Sequence, residues 1–221
     1  MHHPKFRTLF SWLCLLLVIL IILIPLISIF TYYDLRLSLK VTDYISSIIY
    51  FTFYQSLLSA LLSIITGSLF AYLLYTYKNY LFIKFIAQTQ SILFVLPTII
   101  TVFGILSFYG NFFDIYGLTG ILIGHVVLNT PIVSHIIYQT LNNISPSEKL
   151  LSRQMGLGKF SSFLASEWPI IKKNIPSLFV LVTFICFVSF TPVLILGGSP
   201  KYSTLEVSIY YSVIFLSLIH I

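Results

Sequence analysis

Long stretches without charged residues recur along the chain and alternate with short polar segments. The first covers residues 9–30, and a helix needs about 20 apolar residues to cross the hydrocarbon core of a bilayer. Lys5 and Arg7 precede it, as in a signal peptide, but the run is long for one and no cleavage site of small residues follows. We therefore interpret it as a retained span. Four more spans are predicted, near residues 53–74, 85–109, 118–139 and 177–196.

The composition agrees with this pattern. Hydrophobic residues make up 58% of the chain and charged residues 8%, whereas a soluble domain has about 25% charged residues. A soluble fold has no interior large enough to bury so much apolar surface. The predicted fold is an all-α, polytopic transmembrane helical bundle.

The basic residues divide unevenly between the two sides of the predicted bundle. With the N-terminus in the cytoplasm, nine of the 12 Lys and Arg residues fall in cytoplasmic segments and three fall outside. This positive-inside bias predicts a cytoplasmic N-terminus, and it accounts for the net charge of +6 without nucleic acid as a partner. No charged residue lies deep within a predicted span, which argues against coupling to protons or to voltage.

Sequence motifs for catalysis are absent: the chain has no P-loop, GxSxG or HExxH pattern. Its two cysteines, Cys14 and Cys186, lie within apolar runs, where a cysteine usually behaves as a small hydrophobe rather than as a metal ligand. We predict a membrane subunit that is not an enzyme and that binds no cofactor or metal of its own.

Small and polar residues within the spans are candidates for a translocation path. Small residues four apart along the second span allow close helix packing, and His125 and Asn129 share one helix face at i and i+4. Pro192 can kink the last span beside two hydroxyl side chains. The candidate path residues are Ser63, Gly67, Pro97, His125, Asn129, Ser189 and Thr191. Plain helix packing and internal hydrogen bonding remain the alternative interpretation for each of them.

The segment between the fourth and fifth spans, residues 141–176, is longer than a connection requires. It begins with a helix-start signal, in which Ser145 is the cap and Pro146 the first helical residue. We expect a short helix over residues 148–155 that ends at Gly156, followed by an amphipathic stretch. Short helices at a cytoplasmic face are suited to docking into a groove on a partner.

The glycine–proline spacing of this segment resembles the EAA loop of ABC importer permeases. That motif reads E-A-A, three residues, Gly, nine residues and I-x-L-P; here Gly156 matches the glycine and Pro169 follows thirteen residues later. Residues 150–152 depart from the motif because Leu-Leu-Ser stands in place of E-A-A. The resemblance implies a methionine-importer-like permease fold.

Further stretches, covering about residues 50–213, resemble the thiamine and thiamine pyrophosphate importer permeases. They are residues 55–63, 102–110, 116–122 with His125, 167–169, and 196–200 with Glu206 and Tyr210. The resemblance implies a permease subunit of the bacterial inner membrane that moves thiamine or its phosphates inward from an extracytoplasmic solute-binding protein. The alternatives are a permease for ferric iron or another small solute, and a non-transporting multi-span anchor or receptor.

The same resemblance implies several partners. They are a dimer of ABC ATPase subunits, which binds ATP and Mg, a second permease half that is fused or separate, and membrane lipid. The ATPase-coupling loop would include Glu148, Ser152, Arg153, Gly156, Gly158, Trp168 and Pro169.

The resemblance also implies six spans in each half, whereas the pattern here predicts five. The last six residues, 216–221, are one translation of CTG TCT CTT ATA CAC ATC, a common sequencing adapter, and we expect them not to be natural protein. The expected domains are therefore an N-terminal anchor span and extracytoplasmic loop at 1–45, an incomplete permease domain at 46–215 and the adapter-derived tail at 216–221.

Overall fold

A computed structural model describes residues 12–21, 23–25, 27, 43–93, 96–112, 114–145, 147, 154–198 and 200–219. All regular structure within these residues is helical, which confirms the predicted fold class. The chain divides into two compact units, Met1–Val41 and Thr42–Ile221. Helix α1 of the first unit spans Trp12–Pro25 and is apolar.

Eight helices of the second unit lie within the described residues. They are α2 (Asp43–Thr76), α3 (Leu81–Leu93), α4 (Thr98–Tyr109), α5 (Leu118–Asn142), α6 (Lys159–Ser162), α7 (Trp168–Phe187), α8 (Thr191–Leu196) and α9 (Leu205–Ile219). A π-helical turn, Phe163–Glu167, joins α6 to α7. Three helical segments within the described residues are long and apolar enough to cross a membrane: Asp43–Thr76, Leu118–Asn142 and Phe160–Phe187.

Helices α2 and α5 pack side by side in parallel. Ser59 Oγ lies 3.0 Å from His125 Nδ1, Thr66 Oγ1 lies 2.8 Å from Thr130 Oγ1, and Lys78 Nζ donates to Asn142 Oδ1 at 2.8 Å. The partners in these three pairs are separated by 66, 64 and 64 positions. A nearly constant separation requires that both helices run in the same direction, so their C-terminal ends lie on the same side of the bundle.

Helix α7 packs against α2 in the opposite direction. The rings of Phe53 and Phe187 lie 5.1 Å apart between centroids, and those of Tyr72 and Phe163 lie 4.9 Å apart. Early positions of α2 therefore meet late positions of α7. The main core between α2, α5 and α7 includes Ala60, Ile64, Ala71, Val133, Ile137, Leu141, Leu178, Val182 and Cys186.

Two glycines with positive φ join the beginning of α5 to the end of α8. Gly117 caps α5 at φ 86°, and its N–H donates to the Leu196 carbonyl at 2.8 Å. Gly198 has φ 65°, and a Cβ there would lie 3.1 Å from the Cβ of Tyr116. Since L side chains rarely adopt such backbone angles, glycine is suited to both turns.

Four boundaries differ from the sequence predictions, and prolines explain two of them. The predicted span 85–109 is two helices, because Pro97 disfavours a helical conformation at the preceding residue. The predicted span 177–196 breaks after Phe187, because the Pro192 ring would clash with the carbonyl four residues earlier. Helix α2 starts ten residues before the predicted span, and α7 begins inside the segment that we expected to be a loop.

The small-residue face of α2 packs against α5 inside the subunit. A Cβ on Gly67 would lie 2.6 Å from the Cβ of Val133. We therefore expect Gly67→Ala to destabilise the protein by about 1–3 kcal/mol through overpacking. Gly104→Ala is the matched control, since a Cβ there meets nothing within 4 Å. Thermal unfolding of both variants in detergent checks this, and equal unfolding temperatures would contradict the close packing.

Candidate functional site

A cavity of about 410 Å³ lies where two helix breaks meet the middle of α5. Its wall comes from α5, the start of α4, the end of α7 and the start of α8. The lining residues are Leu96, Thr98, His125, Leu128, Asn129, Ile132, Ile185, Val188, Ser189, Phe190, Thr191 and Pro192.

Residues at both helix breaks line this cavity. Leu96 and Thr98 lie on either side of Pro97 at the first break, and residues 188–190 form the second. Helix ends leave N–H and C=O groups without partners in the helix. At membrane depth such irregular backbone is tolerated where it is buried in protein or lines a water-filled cavity. The two breaks are therefore placed where a polar cavity can satisfy them.

His125 is the most buried polar side chain of the cavity wall, with 1% of its surface exposed. Its Nδ1 lies 3.0 Å from Ser59 Oγ. Its Nε2 is buried and has no hydrogen-bond partner among the described residues. A buried polar atom without a partner costs about 1–3 kcal/mol. Gln55 Oε1 and Gln90 Oε1 share this condition, but of the three residues His125 is the one that lines the cavity.

A hydrogen-bonded group behind the cavity holds three helices together. Asn129 of α5 donates through Nδ2 to Cys186 Sγ at 3.2 Å. Gln55 of α2 donates through Nε2 to the Cys186 carbonyl at 3.2 Å. Cys186 lies in the last turn of α7, so these bonds join the end of α7 to α2 and α5.

The cavity brings together four of the seven predicted path residues, His125, Asn129, Ser189 and Thr191. Ser63 and Gly67 lie instead in the packed interface between α2 and α5 and do not line the cavity. Pro97 caps α4 between two lining residues and is not itself part of the wall.

Sequence reasoning missed several residues of the wall. Leu96, Thr98 and Phe190 line the cavity because they flank the helix breaks. The available signals were Pro97 and Pro192, which mark where regular helix ends. Ser59 belongs to the series of small residues four apart along α2, but its contact with His125 depends on the register between α2 and α5, which no local pattern reveals.

The described wall of the cavity is polar but uncharged. It contains no Asp, Glu, Lys, Arg or Tyr. Among the residues that the structure describes, no group of three or more His, Cys, Asp or Glu side chains is placed to hold a metal ion. The wall therefore combines apolar surface with a few hydrogen-bonding groups, as is usual for a site that binds an organic ligand.

A second candidate site is the segment before α7. Gly156 has φ 67° and is exposed, with open space around a built Cβ, and Gly158 also has open space. Trp168 and Pro169 begin α7. The predicted coupling residues Glu148, Ser152 and Arg153 lie outside the described residues.

Large apolar side chains of this segment are exposed on the surface of the subunit. We call them the loop apolar face: Met155, Leu157, Phe160, Leu164 and Trp168. Phe160 is the most exposed of them, at 73%. Apolar side chains exposed in this way are available to a partner protein or to lipid.

Sequence comparison identifies relatives of this chain among known proteins. It is 38% identical over 188 residues to the thiamine transport system permease protein ThiP of Haemophilus influenzae, covering 78% of this chain and 35% of that protein. It is 36% identical over 186 residues to the ThiP of Escherichia coli, covering 76% and 34%. The chain is homologous to part of these thiamine transport permeases. It spans about one third of their length, and no protein-family model matches it.

A solved structure has the same fold. The chain superimposes on a protein whose structure is described as the crystal structure of an amino acid ABC transporter with histidines. The TM-score is 0.51 at 19% sequence identity, and the superposition covers 84% of this chain and 92% of that chain. The sequence relatives therefore confirm the predicted resemblance to thiamine transport permeases, and the solved structure confirms the fold. The ThiP of Brucella abortus is a further relative, 33% identical over 180 residues.

Proposed function

We propose that the chain is a permease subunit of an ATP-driven importer that moves thiamine or its phosphates into the bacterial cytoplasm. The observation that carries this proposal is the sequence relationship to thiamine transport system permease proteins over about three quarters of the chain. The cavity in the middle of the bundle supports it, because a transport subunit needs a place for its solute within the membrane.

The alternative substrate, ferric iron, finds little support in this cavity. Hard metal ions prefer carboxylate and other oxygen ligands, and the described wall has no carboxylate and no tyrosine. The second alternative, an anchor or receptor without transport, requires no cavity at the helix breaks and has no relative among the proteins matched above. Import of an organic solute agrees best with the site.

The parallel pair α2 and α5 supports the proposed orientation. Lys78, just after α2, donates to Asn142, the last residue of α5, so the connections after α2 and after α5 lie on one side. The segment before α7 follows the second of these connections and belongs to that side. The excess of basic residues in these connections supports a cytoplasmic location, with the N-terminus in the cytoplasm and the protein in the inner membrane.

The same side holds the surface for the partner ATPase. The loop apolar face and the exposed turn at Gly156 are suited to dock into a groove on a dimer of ATPase subunits, which supply ATP hydrolysis. An extracytoplasmic binding protein delivers the solute on the opposite side, and a second permease half completes the path. In this proposal, residues 46–215 form the permease domain.

The proposal is tested by deleting the region that encodes residues 46–215 from the chromosome of the source organism. We expect uptake of radiolabelled thiamine from dilute medium to be lost, with uptake of ferric iron unchanged. Complementation in trans with the intact gene is the control. Unchanged thiamine uptake, or a selective loss of iron uptake, would contradict the proposed substrate.

A further inference from the structure

We propose that the cavity recognises a planar, nitrogen-containing heteroaromatic ring through a hydrogen bond to Nε2 of His125. This inference rests on the proposed function and identifies the chemical group that the transport path would bind. It makes His125 a specificity-determining residue rather than a structural one. The argument combines the hydrogen bonds of the imidazole, the charge of the wall and its shape.

The imidazole has one hydrogen-bonding position that no described residue fills. Nε2 is buried, so a solute in the cavity reaches it only when the ring or a neighbouring side chain of the wall turns. In a neutral imidazole one nitrogen donates and the other accepts. Ser59 Oγ contacts Nδ1, and a hydroxyl can serve as donor or acceptor there. Nε2 therefore has one unused role, whichever nitrogen holds the proton. A ring nitrogen or an amino group on an aromatic solute supplies the complementary atom.

The surroundings of His125 favour an aromatic ring over an ion. Leu128, Ile132 and Phe190 present apolar surface in the same wall, which suits the faces of a flat ring. The N-terminal ends of α4 and α8 and the C-terminal end of α7 border the cavity, so helix dipoles of both signs act on it. The cavity therefore favours neither a cation nor an anion strongly, and free thiamine and its phosphate esters share the ring that it would bind.

Two substitutions separate the roles of the two ring nitrogens. Asparagine at position 125 places its amide near Nδ1 and keeps a partner for Ser59, whereas glutamine reaches the position of Nε2. We expect His125→Asn to weaken thiamine binding about tenfold, which corresponds to about 1.4 kcal/mol. We expect His125→Gln to bind within about threefold of the wild type. A purely structural role for the Ser59 contact predicts the opposite order.

Gln90 provides a matched control on another helix. It is buried, its Nε2 donates to Ser134 Oγ at 2.7 Å and its Oε1 has no partner among the described residues. It resembles His125 in these respects but does not line the cavity. We expect Gln90→Leu to leave thiamine binding unchanged.

The measurement is equilibrium binding of radiolabelled thiamine to the assembled transporter with its ATPase in lipid nanodiscs, without the binding protein. Thiamine monophosphate is measured in parallel, and similar affinity for both would support recognition of the ring. Unchanged affinity in His125→Asn, or a loss in His125→Gln alone, would overturn the inference. Thiamine uptake by a wild type that shows no measurable binding would overturn the inference about His125 but not the proposed transport function. A wild type that neither binds nor imports thiamine would refute both the inference and the proposed function.

Discussion

Solute uptake is expected to fall by about tenfold or more when Gly156 is replaced by valine, and to be largely retained when asparagine takes the same place. Gly156 has φ 67° in an exposed turn before α6 and α7. A left-handed conformation costs an L residue about 1–2 kcal/mol. This cost lowers the population of the observed turn, relative to other conformations of the segment, by a factor of about 5–30. Asparagine tolerates this conformation, whereas a β-branched residue does not.

The two variants serve as controls for each other, because both add a side chain of similar size where a built Cβ meets nothing within 4 Å. Uptake of thiamine is measured in cells that carry each variant, with the amount of inserted protein determined by immunoblot. Equal losses in both variants would show that any side chain blocks the turn from its partner. Normal uptake by the valine variant would argue that this turn does not couple the permease to its ATPase.

The helical bundle was predictable because its signals are local. Uncharged stretches of about 20 residues have few alternatives to membrane helices, and the spans containing α2, α5 and α7 were each located. Helix ends were harder to predict. The pattern of apolar residues continues through Pro97 and through residues 188–190, so hydropathy alone joined helices that the structure separates.

The candidate cavity was predictable only where its residues lie on the same helix. His125 and Asn129 share a face of one helix, so their spacing placed them together. The contact between His125 and Ser59 depends on the packing of two helices that are 66 positions apart at this point. Ser63 and Gly67 have the same small-residue signature as a path-lining face, but the close approach of Val133 shows that they permit helix packing.

The loop apolar face gives the second large expected effect. Replacing Phe160 by aspartate is expected to weaken association with the ATPase by at least about thirtyfold, because anchoring residues of an interface often contribute 2 kcal/mol or more. Phe160 is 73% exposed in the unit that contains it, so aspartate at this position does not disturb the folded core. Its carboxylate would instead have to be buried without a partner in the interface, which is strongly unfavourable.

Phe112→Asp is the matched control. Phe112 is 72% exposed and lies in the connection between α4 and α5, at the other end of α5 from the segment that contains Phe160. Co-purification of the ATPase with the tagged permease from solubilised membranes measures the association. We expect loss of the ATPase from Phe160→Asp and full retention by Phe112→Asp. Retention by both would mean that the ATPase docks elsewhere, and loss from both would mean that a charge at any exposed apolar position destabilises the subunit.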